Sequence, residues 1–270
     1  METALPWGRR GMKREEMLKR YTEELRVRCR FDGFRREEDG GVVRHVSLGE
    51  EDGFVLYADL TDDDADEAIR RQIAYFDAIG QPFEWKAFDY DRPADLRERL
   101  RRHGFRVGDP EALMALELTE EHPLLRLPIS PDIRRIDGEA EIDAIMGMED
   151  EIWGAPHDDL GERLKRELTG SGERLSIYAA YDGARPVSAA WMYLHEGTTF
   201  GSLWGDSTLP DYRGKGLYTA LVAARAQEAW ESGFRLLAVD ASPMSRPILE
   251  KKGFELLAFT YPCASPQRRT

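Results

Sequence analysis

Apolar and polar residues alternate between two periods along this chain, and the order of the periods predicts its elements. Ala65, Ile69, Ile73, Phe76 and Ile79 share one face at helical spacing, which predicts a helix over 62–80. Short apolar runs at 42–48, 53–60, 82–88 and 112–118 have strand length, and Pro93 opens a shorter helix over 93–103. Met17, Leu18, Tyr21 and Leu25 predict an amphipathic helix within 1–30, with Arg9, Arg10, Lys13 and Arg14 as a solvated basic face. Three prolines between His122 and Pro131 mark a boundary. Beyond it the pattern predicts a strand at 132–136 and helices at 139–148 and 158–168. A hairpin of 174–182 with 185–195 turns at Asp182-Gly183, followed by a strand at 198–207 with an irregularity at Gly205. A helix to Ser232, a strand at 235–240, a helix at 246–252 and a strand at 254–261 complete the series.

The two halves repeat each other. Each has strand, helix, strand, short helix, Gly-Phe and strand, with Gly104-Phe105 after one short helix and Gly253-Phe254 after the other. Glycine there suits a left-handed helix end, and the phenylalanine re-enters the core. The expected architecture is an α/β (α+β, mixed-sheet) chain of two tandem units, each with a central mixed sheet flanked by helices, divided as 1–125 and 126–270.

The halves differ most where the long helix begins. In the second half the strand runs through Ser207-Thr208 into Leu209-Pro210-Asp211-Tyr212-Arg213-Gly214-Lys215-Gly216-Leu217-Tyr218. Glycines let the backbone turn tightly and approach a ligand, and the first N–H groups of a helix lie unpaired at its positive end. Strand, glycine turn and helix therefore make an anion site, reinforced by Arg213 and Lys215. The nucleotidase phosphate loop is excluded because no Ser or Thr follows Lys215, and the dinucleotide fingerprint because a third glycine is missing. The first half has Thr61-Asp62-Asp63-Asp64 instead, which supports its own helix start and repels a pyrophosphate.

The Arg-Gly-Lys-Gly turn, preceded by Leu-Pro-Asp-Tyr and followed by an amphipathic helix, resembles the GCN5-related N-acetyltransferase (GNAT) superfamily. The superfamily signature runs Gln/Arg-x-x-Gly-x-Gly/Ala. Read from Arg213 it ends on Tyr218, and read from Asp211 it begins on an acid, so either register misses once. The resemblance covers about 130–262 well, and the first unit only by element order. It implies an acetyl-CoA N-acyltransferase-like fold in which acetyl-coenzyme A is the co-substrate. Its pyrophosphate would rest on Arg213, Gly214, Lys215, Gly216, Leu217 and Tyr218, its pantetheine arm along Ser207, Thr208 and Leu209. The Leu209 N–H would face the thioester oxygen, and Ser242 would take the place of a frequent Asn. The first unit is expected to be degenerate, structural or a wall of the acceptor site.

The resemblance implies direct attack by an acceptor amine. An ammonium of pKa near 10.4 is neutral in about one molecule in a few thousand at pH 7, which adds roughly 4–5 kcal/mol unless a base takes the proton. Asp206 and Glu196 are the candidate bases, with His195 a third; Asp206 could instead cap the irregular strand, and His195-Glu196-Gly197 could be a hairpin tip. The superfamily's frequent Tyr acid falls on Leu249, leaving Tyr212 or Tyr218 as substitutes, and a thiol of pKa about 8.5 can leave unaided. A non-catalytic acyl-coenzyme A sensor is the alternative that Leu249 supports. Trp153, His157, Trp191, Tyr193 and Trp204 are either core or contacts for a cationic acceptor.

Charge narrows the partners. With 38 Lys+Arg against 51 Asp+Glu the chain carries −13, which disfavours nucleic-acid and anionic-membrane partners and suits a small-molecule or peptide amine. Two cysteines, Cys29 and Cys263, have no metal-site spacing, and no long apolar run appears, so no metal and a soluble cytoplasmic protein are expected.

Overall fold

A computed structural model of the chain describes residues 11–170 and 174–266; Arg9 and Arg10 of the expected basic face lie outside the described residues. The fold forms two compact units that are not contiguous in sequence. One combines 13–114, 240–247 and 255–266, the other 115–239 and 248–254 with 11–12.

The first unit opens with α1 (Arg14–Tyr21), which continues as a π-helical turn over Thr22–Arg28. The extra residue per turn brings two neighbours inward, so both Leu25 and Arg26 are buried beside Met17 and Tyr21. Strands β1 (Phe34–Asp39), β2 (Val42–Ser47) and β3 (Gly53–Ala58) form an antiparallel meander. Helix α2 (Ala65–Ile79) then crosses to β4 (Phe83–Phe88), parallel to β3. The polar sequence of β1, with every residue at least partly exposed, hid it from the hydrophobic pattern. After α3 (Leu96–Arg102) come β5 (Arg106–Val107) and β6 (Glu111–Glu117).

The strand paired with β4 is not β6, the next long strand in sequence, but the last of the chain, β12 (Glu255–Ala264). It lies antiparallel with Thr260 opposite Phe88 and Cys263 opposite Trp85. A linear division at 125/126 therefore differs from the compact units, because the last strand belongs with the first unit. Two apolar closing strands of similar length are interchangeable to a local pattern, and only packing selects between them.

The second unit holds α4 (Pro123–Arg126), β7 (Ile133–Ile136), α5 (Glu139–Trp153) and α6 (Asp158–Thr169). Strands β8 (Arg174–Asp182), β9 (Arg185–Leu194) and β10 (Phe200–Thr208) continue the antiparallel order from β7. Helix α7 (Leu217–Glu231) crosses to β11 (Leu236–Ala241), parallel to β10; residues 240–247 count with the first unit, and α8 (Arg246–Glu250) leads back into the second. Meander, crossover helix and parallel strand thus recur in both units, as the sequence repeat predicts. Ile136, Ile142, Ile145, Leu164 and Ile177 fill the core between α5, α6 and the sheet. Among the described residues no helix is long and apolar enough to cross a membrane.

His45 on β2 is fully buried, stacked on Phe54 at 4.6 Å between ring centres, with Nε2 donating to the Cys29 carbonyl at 3.2 Å. Burial lowers its pKa from 6.5 to about 4, the Arg36 charge adding to the effect. Between those values the unfolded chain binds a proton that the folded protein refuses. Stability present above pH 6.5 is therefore lost as pH falls toward 4, by about 3 kcal/mol. Urea unfolding of wild type and His45→Phe at pH 7 and pH 4.5 should show a shallower pH slope for the variant.

Candidate functional site: a glycine turn and an opened strand pair

The parallel ladder of β10 with β11 is short, with pairing limited to Phe200, Gly201 and Ser202 opposite Leu236, Leu237 and Ala238. Beyond it β10 bulges between Trp204 and Ser207, where Gly205 and Asp206 take positive φ of 77° and 65°. A Cβ on Gly205 would sit 2.4 Å from the Trp191 ring, so only glycine lets the strand cross that indole. A bulge strands carbonyls, and Arg225 of α7 collects them. Its Nη1 donates to Trp191 O at 3.0 Å and Trp204 O at 3.3 Å, its Nε to Leu221 O at 3.1 Å, and its Nη2 binds Asp206 Oδ1. Arg225 has no exposed surface. Burial pushes the Asp206 carboxyl up, against the downward pull of Arg225.

Asp206, expected as a base, is thus committed to a buried ion pair that holds the bulge. Glu196 is separated from the turn altogether. It is exposed at the β9–β10 tip beside Gly197, at the opposite end of β10, roughly 25 Å away for eight residues of strand. His195 is buried there with Nε2 bonded to Ser202 Oγ at 2.7 Å.

After β10 a single 3₁₀ turn, Pro210–Tyr212, leads into the glycines. Gly214 has φ 73° and Gly216 has φ 84° with ψ 0°, left-handed conformations that favour glycine, and no atom lies within 4 Å of a Cβ built on either. Gly216 caps α7 without a side-chain bond. Among the described residues no backbone carbonyl accepts from the N–H groups of Gly214, Lys215, Gly216 or Leu217. Lys215 Nζ lies 4.4 Å from the centre of the Tyr212 ring with no carboxylate partner among the described residues, and Arg213 Nε donates to Thr208 O at 3.1 Å. Leu217 and Tyr218 are half-buried at the start of α7. This is an open, cationic turn whose N–H groups lack backbone acceptors among the described residues, and its residues fit a pyrophosphate.

The expected oxyanion donor is different. The Leu209 N–H donates to Val187 O at 3.0 Å and its side chain is buried in the core. Ladder alternation turns residues 207 and 209 toward β9 and Thr208 toward the opened edge, the side from which Arg213 reaches the Thr208 carbonyl. Ser242 lies in the other unit, where its hydroxyl accepts from the Ser245 N–H at 3.2 Å. Leu249 is fully buried.

Glu149 escaped the sequence reading because the helix was expected to stop at Met148. Instead α5 runs to Trp153, with Gly154 at its left-handed end, φ 67°. Glu149 is 2% exposed; its Oε2 accepts from Ser207 Oγ at 2.6 Å and Trp153 Nε1 at 2.9 Å. Trp153 and Trp204 are exposed rather than core, at 64% and 47%, while Trp191 is buried. His157 Nδ1 is bonded to Asp150 at 3.0 Å, and the Tyr193 hydroxyl donates to Glu167. The described residues contain no group of three His, Cys, Asp or Glu able to hold a metal ion.

In the first unit the matching opening is filled from within. β3 and β4 pair only over Gly53, Phe54 and Val55 opposite Phe83, Glu84 and Trp85. The next carbonyl, of Leu56, accepts from Arg26 Nε at 2.8 Å. The Arg26 guanidinium lies 3.6 Å above the Phe88 ring and pairs with Asp91 at 2.7 Å. Where the second unit has its glycine turn, Asp62 and Asp66 are bound by Arg99.

The fold is an α/β mixed sheet whose parallel pair opens beside a glycine turn at a helix start. Residues 142–254 match the family model described as the Acetyltransferase (GNAT) family, and the chain carries a GNAT-superfamily domain in this second half. A GCN5-related N-acetyltransferase from Kribbella flavida shares the fold over 94% of this chain and 95% of its own, at 17% identity and TM-score 0.62. A conserved protein of unknown function from Staphylococcus epidermidis aligns over 93% of this chain and 100% of its own, at 14% identity and TM-score 0.66. A tandem GNAT protein from the clavulanic acid biosynthesis pathway aligns over 88% and 85%, at 14% identity and TM-score 0.59. No curated protein sequence matches the chain.

Proposed function

We propose that the second unit transfers an acetyl group from acetyl-coenzyme A to the amine of a small-molecule or peptide acceptor. The observation that carries this reading is the pair of left-handed glycines, Gly214 and Gly216, with open space where a Cβ would lie and N–H groups that meet no backbone carbonyl among the described residues. Gly214, Lys215, Gly216, Leu217 and the start of α7 at Tyr218 would hold the pyrophosphate, with Lys215 as its countercharge. Arg213 braces the turn against Thr208. The bound co-substrate supplies an activated thioester. Thr208, in place of Leu209, offers the N–H toward the opened edge, and a donor at a developing oxyanion contributes about 3 kcal/mol.

Glu196 is left out because of its distance, Asp206 because Arg225 holds it, and Ser242 because its hydroxyl serves its own turn. The first unit, with Arg26 in its opening and carboxylates at its helix start, is proposed to be a structural partner that binds no coenzyme A. The buried Leu249 favours one rival, a sensor that binds acyl-coenzyme A without turnover. Incubation with acetyl-coenzyme A and a panel of amines separates the two. Amine-dependent release of free thiol is expected, and binding without thiol release from any amine would establish the sensor.

A further inference from the structure

Glu149 is a buried carboxylate, one oxygen of which has no hydrogen-bond partner among the described residues. It sits in the last turns of α5, where the helix dipole disfavours a carboxylate, together with Asp150 and Glu151. Its two neighbours have side-chain partners, His157 for Asp150 and the Arg185 cation for Glu151. Glu149 forms no ion pair among the described residues. Both of its hydrogen bonds, from Ser207 and Trp153, fall on Oε2, while Oε1 is buried and has no hydrogen-bond partner among the described residues. A buried, unpaired carboxylate oxygen destabilises a fold unless something completes it.

We propose that Glu149 is the general base of the second unit, that Oε1 receives the proton of the acceptor ammonium through one bridging water, and that Trp153 and Ser207 are positioning residues that fix Oε2. The inference rests on the acetyltransfer reading above and names the base which that reading lacks. Ser207 belongs to the strand segment that opens from β11, so the carboxylate is tied to the reacting edge itself. The exposed indole of Trp153, held in orientation by its own N–H bond, presents a face to an arriving organic cation.

The step balances. The ammonium gives one proton to Oε1. The freed lone pair forms the N–C bond as the C–S bond breaks and its electron pair leaves on sulfur. The second N–H proton reaches sulfur through solvent, and Glu149 returns its proton to bulk water. Burial raises the Glu149 pKa, while Ser207 and Trp153, which stabilise the charged form, lower it. His157 at the start of α6 also lowers it and Asp150 raises it, whereas Asp206 on β10 is neutralised by Arg225. A base shifted upward from the ordinary carboxylate range is better matched to neutral pH.

The test uses the full chain with its best amine, measuring kcat/KM for thiol release from pH 5 to 9, the acetyl-coenzyme A thermal shift, and the pH titration of Trp153 emission. Glu149→Gln should lower kcat/KM by about 10²–10⁴-fold, keep the thermal shift, and abolish the emission titration. Trp153→Phe removes one donor from the charged form, so the acid limb of kcat/KM should move to higher pH with the shift retained. A merely structural Trp153 would leave that limb in place. Glu149→Gln within threefold of wild type, or an unmoved acid limb in Trp153→Phe, overturns the assignment and leaves acetyltransfer standing. A wild type that binds acetyl-coenzyme A yet releases no thiol overturns the base and establishes the sensor. A wild type that shows no thermal shift overturns the acetyltransfer reading itself.

Discussion

Gly216→Asp is expected to abolish acetyl-coenzyme A binding in a protein that still folds. At a ligand concentration a hundredfold above Kd, wild type should gain about 2.7 kcal/mol, a thermal shift of several degrees. The variant should show none. Gly216 holds φ 84°, where a side chain adds strain of about 1–2 kcal/mol, too little to unfold a domain of this size. An aspartate there also places a negative charge among the N–H groups that would meet the pyrophosphate. Gly216→Asn carries the strain without the charge. An Asn variant that retains part of the shift, beside an Asp variant that retains none, assigns the loss to electrostatics. Equal shifts in wild type and the Asp variant would place the cofactor elsewhere.

Arg225→Met is expected to be the most destabilising single change in the second unit, by about 3–5 kcal/mol in urea unfolding. It leaves Asp206 buried without its cation and strips donors from the Trp191 and Trp204 carbonyls. The double variant Arg225→Met/Asp206→Ala should regain part of the loss, because the stranded charge is gone while the carbonyls remain unsatisfied. The same helix carries Gly216 at its start and Arg225 two turns later, so the bulge and the turn share one rigid support. Asp206→Asn, which keeps the acceptor oxygen, should cost less stability than the Arg225 change and should keep acetyl-coenzyme A binding.

Local chemistry was legible in the chain. Helical spacing from Ala65 to Ile79, the Asp182-Gly183 hairpin, the Gly205 irregularity and the Gly214/Gly216 turn all appear within a residue or two of their expected places. Each depends on neighbours in sequence: side-chain period, glycine's access to positive φ, or a helix end. The polar strand β1 and the extension of α5 to Trp153 were missed because their residues contradict local preference, and packing overrides it.

The sequence by itself determined the repeated order of elements, the contrast between an acidic and a glycine-bearing helix start, and the family resemblance of the second half. Tertiary structure alone decided which strand closes beside β4, which N–H at 208 or 209 faces the opened edge, and where each carboxylate goes. Asp206 and Glu149 are both acids near one bulge, yet Arg225 pairs with the first and no cation among the described residues forms an ion pair with the second. That difference arises from side chains 19 and 58 residues distant in sequence, Arg225 from Asp206 and Glu149 from Ser207. A carboxylate's desolvation and its partners are properties of the space around it, and no spacing along the chain encodes them.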